Sequence, residues 1–123
     1  MTKRILVIDD EASIRTVLDI HLKRAGFMVT LAATGAEGIE FALTRDFDLM
    51  LCDLKLTDMN GIDIIKKVKA ENISLPVIVV SGFIDSDVVR EAKEIGSVDY
   101  LRKPFLKNEL LSIVNSVLDS SNA

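Results

Sequence analysis

Short apolar runs recur along the chain at regular intervals. The five runs of strand length are Ile5 to Ile8, Phe27 to Leu31, Leu49 to Cys52, Val77 to Val80 and Val98 to Leu101. Runs of this length, bounded by polar and turn-forming residues, are typical of buried strands. After each strand, apolar residues repeat every three or four positions, as in Ile14, Val17, Leu18 and Leu22, which predicts an amphipathic helix.

Strands that alternate with helices predict right-handed crossovers and a parallel sheet covered on both faces. The runs Ile5 to Ile8 and Val77 to Val80 favour this arrangement, because they do not alternate with polar residues as a one-sided sheet does. We therefore predict an α/β fold with a doubly wound, five-stranded parallel sheet and five helices. Residues 1–123 are expected to form one domain, with a polar tail from about Asp119.

Composition narrows the possible functions. The 123 residues are 49% hydrophobic, but no apolar run approaches the roughly 18 residues that a bilayer span requires. The chain begins with basic and then apolar residues, as an export signal does, but Asp9 and Asp10 stand where such a signal has its cleavage site. We therefore expect a cytoplasmic protein without membrane contact. A single cysteine, Cys52, excludes an internal disulfide. The net charge of −4, with both signs interspersed, argues against direct nucleic-acid binding by this segment.

Polar residues follow four of the five predicted strands. They are Asp9 and Asp10, then Asp53, then Ser81, and, after a short extension of the last strand, Lys103. Ligands of open parallel sheets bind beyond the carboxyl ends of the strands, so these side chains are expected to converge. Three carboxylates at one edge repel one another unless a cation lies among them. Hard oxygen donors favour Mg²⁺ over Zn²⁺.

Each of these residues also has a purely structural interpretation. Asp10 or Ser13 can cap the following helix, Ser81 can begin a turn, and Lys103 can be a solvated charge. The convergence of all of them favours function over these alternatives. Three lysines, Lys66, Lys67 and Lys69, are interpreted as a solvated helix face.

Four segments resemble the receiver domains of two-component response regulators. They are Val7 to Glu11, Asp53 to Gly61, Val80 to Gly82 and Asp99 to Phe105. The resemblance extends from Ile5 to about Leu118. It implies a flavodoxin-like sheet with strand order 2-1-3-4-5.

The resemblance implies a phosphoacceptor and a metal site. Asp53 is the expected acceptor, whose carboxylate attacks phosphorus and forms an aspartyl phosphate. Asp10 and Asp53 are expected to bind Mg²⁺ directly and Asp9 through water. The backbone carbonyl of Lys55 would complete the protein ligands. Mn²⁺ is the alternative ion.

The resemblance also implies groups that contact the phosphoryl oxygens and a switch. Lys103 and Ser81 are the expected contacts, and a cis peptide bond is expected between Lys103 and Pro104. Phosphorylation would draw the Ser81 hydroxyl inward and let the Tyr100 ring turn. The surface formed by the fourth helix, the fifth strand and the fifth helix would then change.

The same resemblance implies the partners. A histidine kinase or histidine phosphotransfer protein would donate the phosphoryl group, and a downstream partner or output domain would respond. A phosphorylation-dependent homodimer is a further expectation. Catalysis would be confined to the chain's own phosphorylation and dephosphorylation, so we do not expect a turnover enzyme.

Some positions depart from the common family pattern. Thr57 stands where many relatives have proline, and it is expected to touch no ligand. Gly82 replaces a frequent alanine and is expected to leave room for the Tyr100 ring. Lys55 is expected to pair with the phosphoryl group and Phe83 to shield it from water.

Other functions remain open at this point. A phosphatase with an aspartyl nucleophile needs a nearby acid for the leaving group, and Asp53-Leu54-Lys55 offers none. A receiver-like scaffold that works without phosphate would tolerate loss of an acidic residue or of the lysine, yet all are present. A flavin protein is disfavoured because the loops lack a Ser/Thr-rich phosphate-binding turn.

Overall fold

The computed structural model describes residues 2–96 and 98–121, along which strands and helices alternate. The strands are β1 (Arg4–Ile8), β2 (Met28–Ala32), β3 (Leu49–Cys52), β4 (Val77–Ser81) and β5 (Val98–Arg102). The helices are α1 (Ala12–Arg24), α2 (Gly35–Thr44), α3 (Gly61–Glu71), α4 (Ser86–Ile95) and α5 (Lys107–Ser121). The predicted strands are all present.

The five strands form one parallel sheet in the order β2-β1-β3-β4-β5. The predicted doubly wound fold and its strand order are therefore confirmed. The chain first winds outward from β1 to β2 and then returns past β1 to β3. This reversal creates a switch point between β1 and β3, and ligands of such sheets bind beyond the strand ends at that point.

Both faces of the sheet are buried, as the unbroken apolar runs predicted. In β1, Leu6 and Ile8 join a core cluster on one face, whereas Ile5 and Val7 join a second cluster on the other. The first cluster includes α3 residues and the second includes residues of α1 and α5. Fully burying one such side chain contributes about 1.5–3 kcal/mol, so the two layers fix the sheet between the helices.

The start of α1 does not use the structural alternative in which Asp10 or Ser13 caps the helix. The N-cap residue is Glu11, and its side chain makes no capping hydrogen bond. Ser13 lies inside the helix. The carboxylate of Asp10 instead lies in an acidic cluster beyond the end of β1.

The basic cluster on α3 is not wholly solvated. Lys66 and Lys67 are exposed, but Lys69 is only 3% exposed, so the expectation was wrong for Lys69. Its position follows Ile62 and Ile65 at helical spacing, which places it on the packed face of α3. Burial lowers the pKa of Lys69.

Helix α5 extends into the segment that was expected to form a polar tail. The helix continues to Ser121, although a polar tail was expected from about Asp119. The last two positions of that tail, residues 122–123, lie outside the described residues. Within the described ranges, none of the helices is both long and apolar enough to cross a bilayer.

Candidate functional site

Three carboxylates meet beyond the ends of β1 and β3. Asp9 and Asp10 follow β1 directly, and Asp53 follows β3 directly. One oxygen from each can be chosen so that the three atoms lie within 4.8 Å of one another. Asp9 is 1% exposed and Asp53 is 5% exposed, whereas Asp10 is half-buried.

Lys103 brings a positive charge into this group. Its Nζ lies 2.8 Å from Asp9 Oδ2 and 3.1 Å from Asp53 Oδ2. It also lies 3.2 Å from Glu11 Oε1. Glu11 was not among the predicted site residues, although it directly follows Asp9 and Asp10. The peptide bond between Lys103 and Pro104 is cis. The lysine therefore links the acidic residues of β1 and β3 to the end of β5.

The electrostatics of the site depend on this lysine. Burial raises the pKa of Asp9, while the hydrogen bond and charge of Lys103 act in the opposite direction. Burial alone would lower the pKa of Lys103, but its hydrogen bonds and charge interactions with Asp9 and Asp53 outweigh that effect and raise it above its usual range. The ammonium group is therefore charged at neutral pH.

Backbone groups orient two of the carboxylates. Asp9 Oδ1 accepts a hydrogen bond from the Glu11 amide at 2.9 Å. Asp53 Oδ1 accepts one from the Leu54 amide at 2.7 Å and a longer one from the Lys55 amide at 3.4 Å. Asp53 thus presents Oδ1 to the backbone and Oδ2 to Lys103.

Asp10 is oriented by the side chain of Thr57, which was not expected to touch a metal ligand. Thr57 Oγ1 donates a hydrogen bond to Asp10 Oδ2 at 2.7 Å. The expectation that Thr57 touches no ligand candidate was therefore wrong. The contact depends on how the loop after β3 folds back toward β1, and no local sequence pattern specifies that path.

The loop between β3 and α3 is held at several points. Asp58 accepts hydrogen bonds from the Gly35 and Ala36 amides at 2.9 and 3.0 Å, at the start of α2. These two amides lower the pKa of Asp58. The Gly61 amide donates to the Leu54 carbonyl at 2.7 Å, where the loop passes very close to its own start.

The two residues of the predicted switch lie on β4 and β5. Ser81 is 2% exposed, and its Oγ accepts a hydrogen bond from the Phe83 amide at 3.3 Å. Its carbonyl accepts a hydrogen bond from the Lys103 amide at 2.9 Å. The Tyr100 hydroxyl donates to the Val89 carbonyl in α4 at 3.3 Å.

Lys55, Phe83 and Gly82, which depart from the common family pattern or vary within it, differ in their contacts. Lys55 Nζ lies 4.8 Å from the centroid of the Phe83 ring, a cation–π contact between two loops of the site. A Cβ atom on Gly82 would meet nothing within 4 Å. The expectation that this glycine leaves room for the turned Tyr100 ring concerns the other state of the switch and stays a prediction.

The donor set suits a hard divalent cation. Carboxylate oxygens are the ligands that Mg²⁺ prefers, and three of them converge here. The neighbouring Cys52 is fully buried in the apolar core, where burial raises the pKa of its thiol. The residues at this edge therefore fit Mg²⁺ better than a metal that requires thiolates.

A parallel sheet of this order, with an acidic cluster and a lysine at its switch point, is the architecture of a receiver domain. The family model for the response regulator receiver domain matches residues 5–115. The chain belongs to this family. It is a signalling module of two-component systems.

Individual relatives agree with this assignment. Over 96% of its own length, the present chain is 33% identical to the cell cycle transcriptional regulator CtrA of Caulobacter vibrioides. It spans about half of CtrA, 51%. A CheY-like receiver domain protein from Methanospirillum hungatei is 30% identical, with a TM-score of 0.96 over 99% of this chain and 98% of that one. The chemotaxis protein CheY4 of Vibrio cholerae is 28% identical, with a TM-score of 0.90 over 95% and 99% of the two chains.

Proposed function

We propose that Asp53 accepts a phosphoryl group from a phosphohistidine donor and that the modified chain then acts as a signal for a partner or output domain. The observation that carries this proposal is the contact between Asp53 Oδ2 and Lys103 Nζ at 3.1 Å, beside two further carboxylates. A nucleophile, a cation-binding group and a fixed positive charge are thus within reach of one reacting phosphorus atom.

Asp53 and Lys103 have different roles in the phosphoryl transfer. A carboxylate oxygen of Asp53 attacks phosphorus in line while the bond from phosphorus to the donor imidazole nitrogen breaks. The new P–O bond makes an aspartyl phosphate, and the imidazole leaves with the bonding electrons and takes a proton from solvent. Lys103 already contacts Asp53 Oδ2, so its ammonium group can pair with the phosphoryl oxygens as their charge develops.

Asp10 and Asp53 would hold Mg²⁺ directly and Asp9 through water, with the Lys55 carbonyl as a further ligand. Mn²⁺ is the alternative ion. When bound, the cation neutralises charge on the phosphoryl oxygens. The bridge between Lys55 and Asn60 supports the role of the carbonyl, because it fixes the backbone of this loop.

Ser81 and Tyr100 would convert the modification into a change of surface. A phosphoryl group on Asp53 would attract the Ser81 hydroxyl, whose only hydrogen bond among the described residues is the one from the Phe83 amide. The Tyr100 ring would then turn inward and give up its hydrogen bond to Val89 in α4. The surface of α4, β5 and α5 would differ between the two states.

The partners follow from this function. A histidine kinase or phosphotransfer protein would supply the phosphoryl group. The relatives that the chain matches include transcriptional regulators of which it spans about half or about a quarter, which supports an output domain or separate partner as the reader of the signal. A homodimer of the phosphorylated chain is a further possible output.

The proposal is tested by intact-mass measurement after incubation with Mg²⁺ and a small acyl-phosphate donor. We expect the wild-type chain to gain one phosphoryl group. Asp53→Asn and a metal-free sample should gain none. Asp46→Asn, which removes an exposed carboxylate outside the site, is the matched control and should react like the wild type. Equal phosphorylation of Asp53→Asn would refute the assignment of the acceptor.

A further inference from the structure

Thr57 lies beside the acidic cluster and donates a side-chain hydrogen bond to one of its members, Asp10. Its hydroxyl donates to Asp10 Oδ2 at 2.7 Å across 47 positions of sequence. We propose that Thr57 is a positioning residue that holds Asp10 ready to bind the cation through its other oxygen. This inference rests on the metal site of the proposed function.

The charge pattern of the cluster explains why Asp10 needs such a partner. Lys103 contacts Asp9 and Asp53, but it makes no ion pair with Asp10 among the described residues. Backbone amides also orient Asp9 and Asp53. Within the described part of the chain, the Thr57 hydroxyl is the donor that fixes the Asp10 carboxylate.

Thr57 is itself held in place by its neighbours in the loop. The next residue, Asp58, is fixed by two amides at the start of α2. Lys55 and Asn60, which flank Thr57 and Asp58 in sequence, form an antiparallel bridge that closes the loop. The position of the hydroxyl is therefore set before a cation arrives, which reduces the cost of ordering a ligand.

The hydrogen bond has a consequence for the choice of ion. Asp10 Oδ2 already accepts the Thr57 hydrogen bond, which weakens this oxygen as a metal ligand and biases Asp10 toward binding a cation through Oδ1 alone. Mg²⁺ takes near-octahedral sites with single carboxylate oxygens, whereas Ca²⁺ readily uses both oxygens of a carboxylate. Thr57 therefore favours Mg²⁺ over Ca²⁺ at this site.

The test compares Thr57→Val, which removes the hydroxyl but keeps the shape, with Thr57→Ser, which keeps the hydroxyl. Isothermal titration calorimetry of the unphosphorylated protein measures the dissociation constants for Mg²⁺ and Ca²⁺. We expect Thr57→Val to weaken Mg²⁺ binding by about tenfold, the lower end of the effect of losing a group that orients a metal ligand. Thr57→Ser should stay within about twofold of the wild type.

Comparing the dissociation constants for Ca²⁺ and Mg²⁺ distinguishes a positioning role of Thr57 from a general effect of the substitution on the loop. Loss of the hydroxyl removes the hydrogen bond that competes with a metal contact through Asp10 Oδ2, so the preference for Mg²⁺ over Ca²⁺ should fall in Thr57→Val. Thr16→Val, an exposed threonine on α1, is the matched control and should leave both constants unchanged. Thermal unfolding without metal checks that each variant is folded.

The remaining outcomes overturn the inference in distinguishable ways. Unchanged or tighter Mg²⁺ binding by Thr57→Val shows that the hydrogen bond does not prepare Asp10 for the ion. Equal weakening of both ions shows an effect on the loop alone. If the wild-type chain binds neither ion, the metal site of the proposed function fails, and the role of Thr57 fails with it.

Discussion

Gly61 is the position at which one added methyl group tests how closely the loop after Asp53 must pass its own start. A Cβ atom there would collide with the Asp53 carbonyl oxygen and would lie 2.7 Å from Leu54 Cα and 2.9 Å from the Asp53 carbonyl carbon. These neighbours are backbone atoms that follow β3 directly, so they cannot move aside as the end of a flexible side chain can. In Gly61→Ala, either the loop between β3 and α3 or the backbone of Asp53 therefore has to shift.

The expected cost of Gly61→Ala follows from this geometry. Forced insertion of a methyl group into a packed region costs typically 1–3 kcal/mol, and a clash with fixed backbone belongs in the upper half of that range. We therefore expect the free energy of unfolding to fall by about 2–3 kcal/mol. Because the displaced atoms carry Asp53, Mg²⁺-dependent phosphorylation should also slow.

Gly82→Ala is the matched control on the other side of the site. A Cβ atom at Gly82 meets nothing within 4 Å, and its φ is not positive. The substitution should stabilise the protein by about 0.4–1 kcal/mol through the lower entropy of the unfolded chain. Urea unfolding followed by circular dichroism gives both values. If Gly61→Ala is as stable as Gly82→Ala, the close approach of the loop to Asp53 is not as described.

Two further predictions concern charges. Lys103→Met leaves the buried carboxylates of Asp9 and Asp53 without their counter-charge, so the free energy of unfolding in a metal chelator should fall by about 3 kcal/mol. Added Mg²⁺ should restore more stability to this variant than it adds to the wild type, and an equal gain in urea unfolding would contradict the description of the site. The lowered pKa of Asp58 contributes stability that is present above the ordinary carboxyl pKa of about 4 and is lost as the pH falls through the folded value. The difference in thermal midpoint between the wild type and Asp58→Asn should therefore be largest near neutral pH and shrink in acid; a difference that grows in acid would refute this assignment.

The fold was predictable because the strands are buried on both faces. Residues 5–8 and 77–80 have no alternation of polar and apolar positions, and both runs divide their side chains between the two core clusters. That pattern belongs to parallel sheets with helices on either side. The spacing of the runs then left room for one helix in each connection.

The main candidates of the site were predictable for a related reason. Asp9, Asp53 and Ser81 lie at or directly after the carboxyl ends of adjacent strands, and strand order brings such positions together. Lys103 reaches the carboxylates from the end of β5, two strands away from β3, because its side chain is long. The residue type and its position relative to the predicted strands were sufficient to identify these four residues as site candidates.

The details that escaped prediction depend on loops and on packing. The contact between Thr57 and Asp10 requires the path of the loop after β3, which is fixed by Asp58 and by the turn at Gly61. The burial of Lys69 depends on which face of α3 packs inward, and its charge, close in sequence to the exposed Lys66 and Lys67, concealed it. Both are consequences of tertiary structure that residue type alone does not specify.

The central claim, that Asp53 is the phosphoacceptor, is tested most directly by locating the modification. Treatment of the phosphorylated chain with borohydride reduces an acyl phosphate to an alcohol, and peptide mass spectrometry then finds the altered residue. We predict that the alteration occurs at Asp53 alone and only when phosphorylation took place with Mg²⁺ present. An altered Asp9 or Asp10, or a phosphorylated chain with no altered aspartate, would contradict the account.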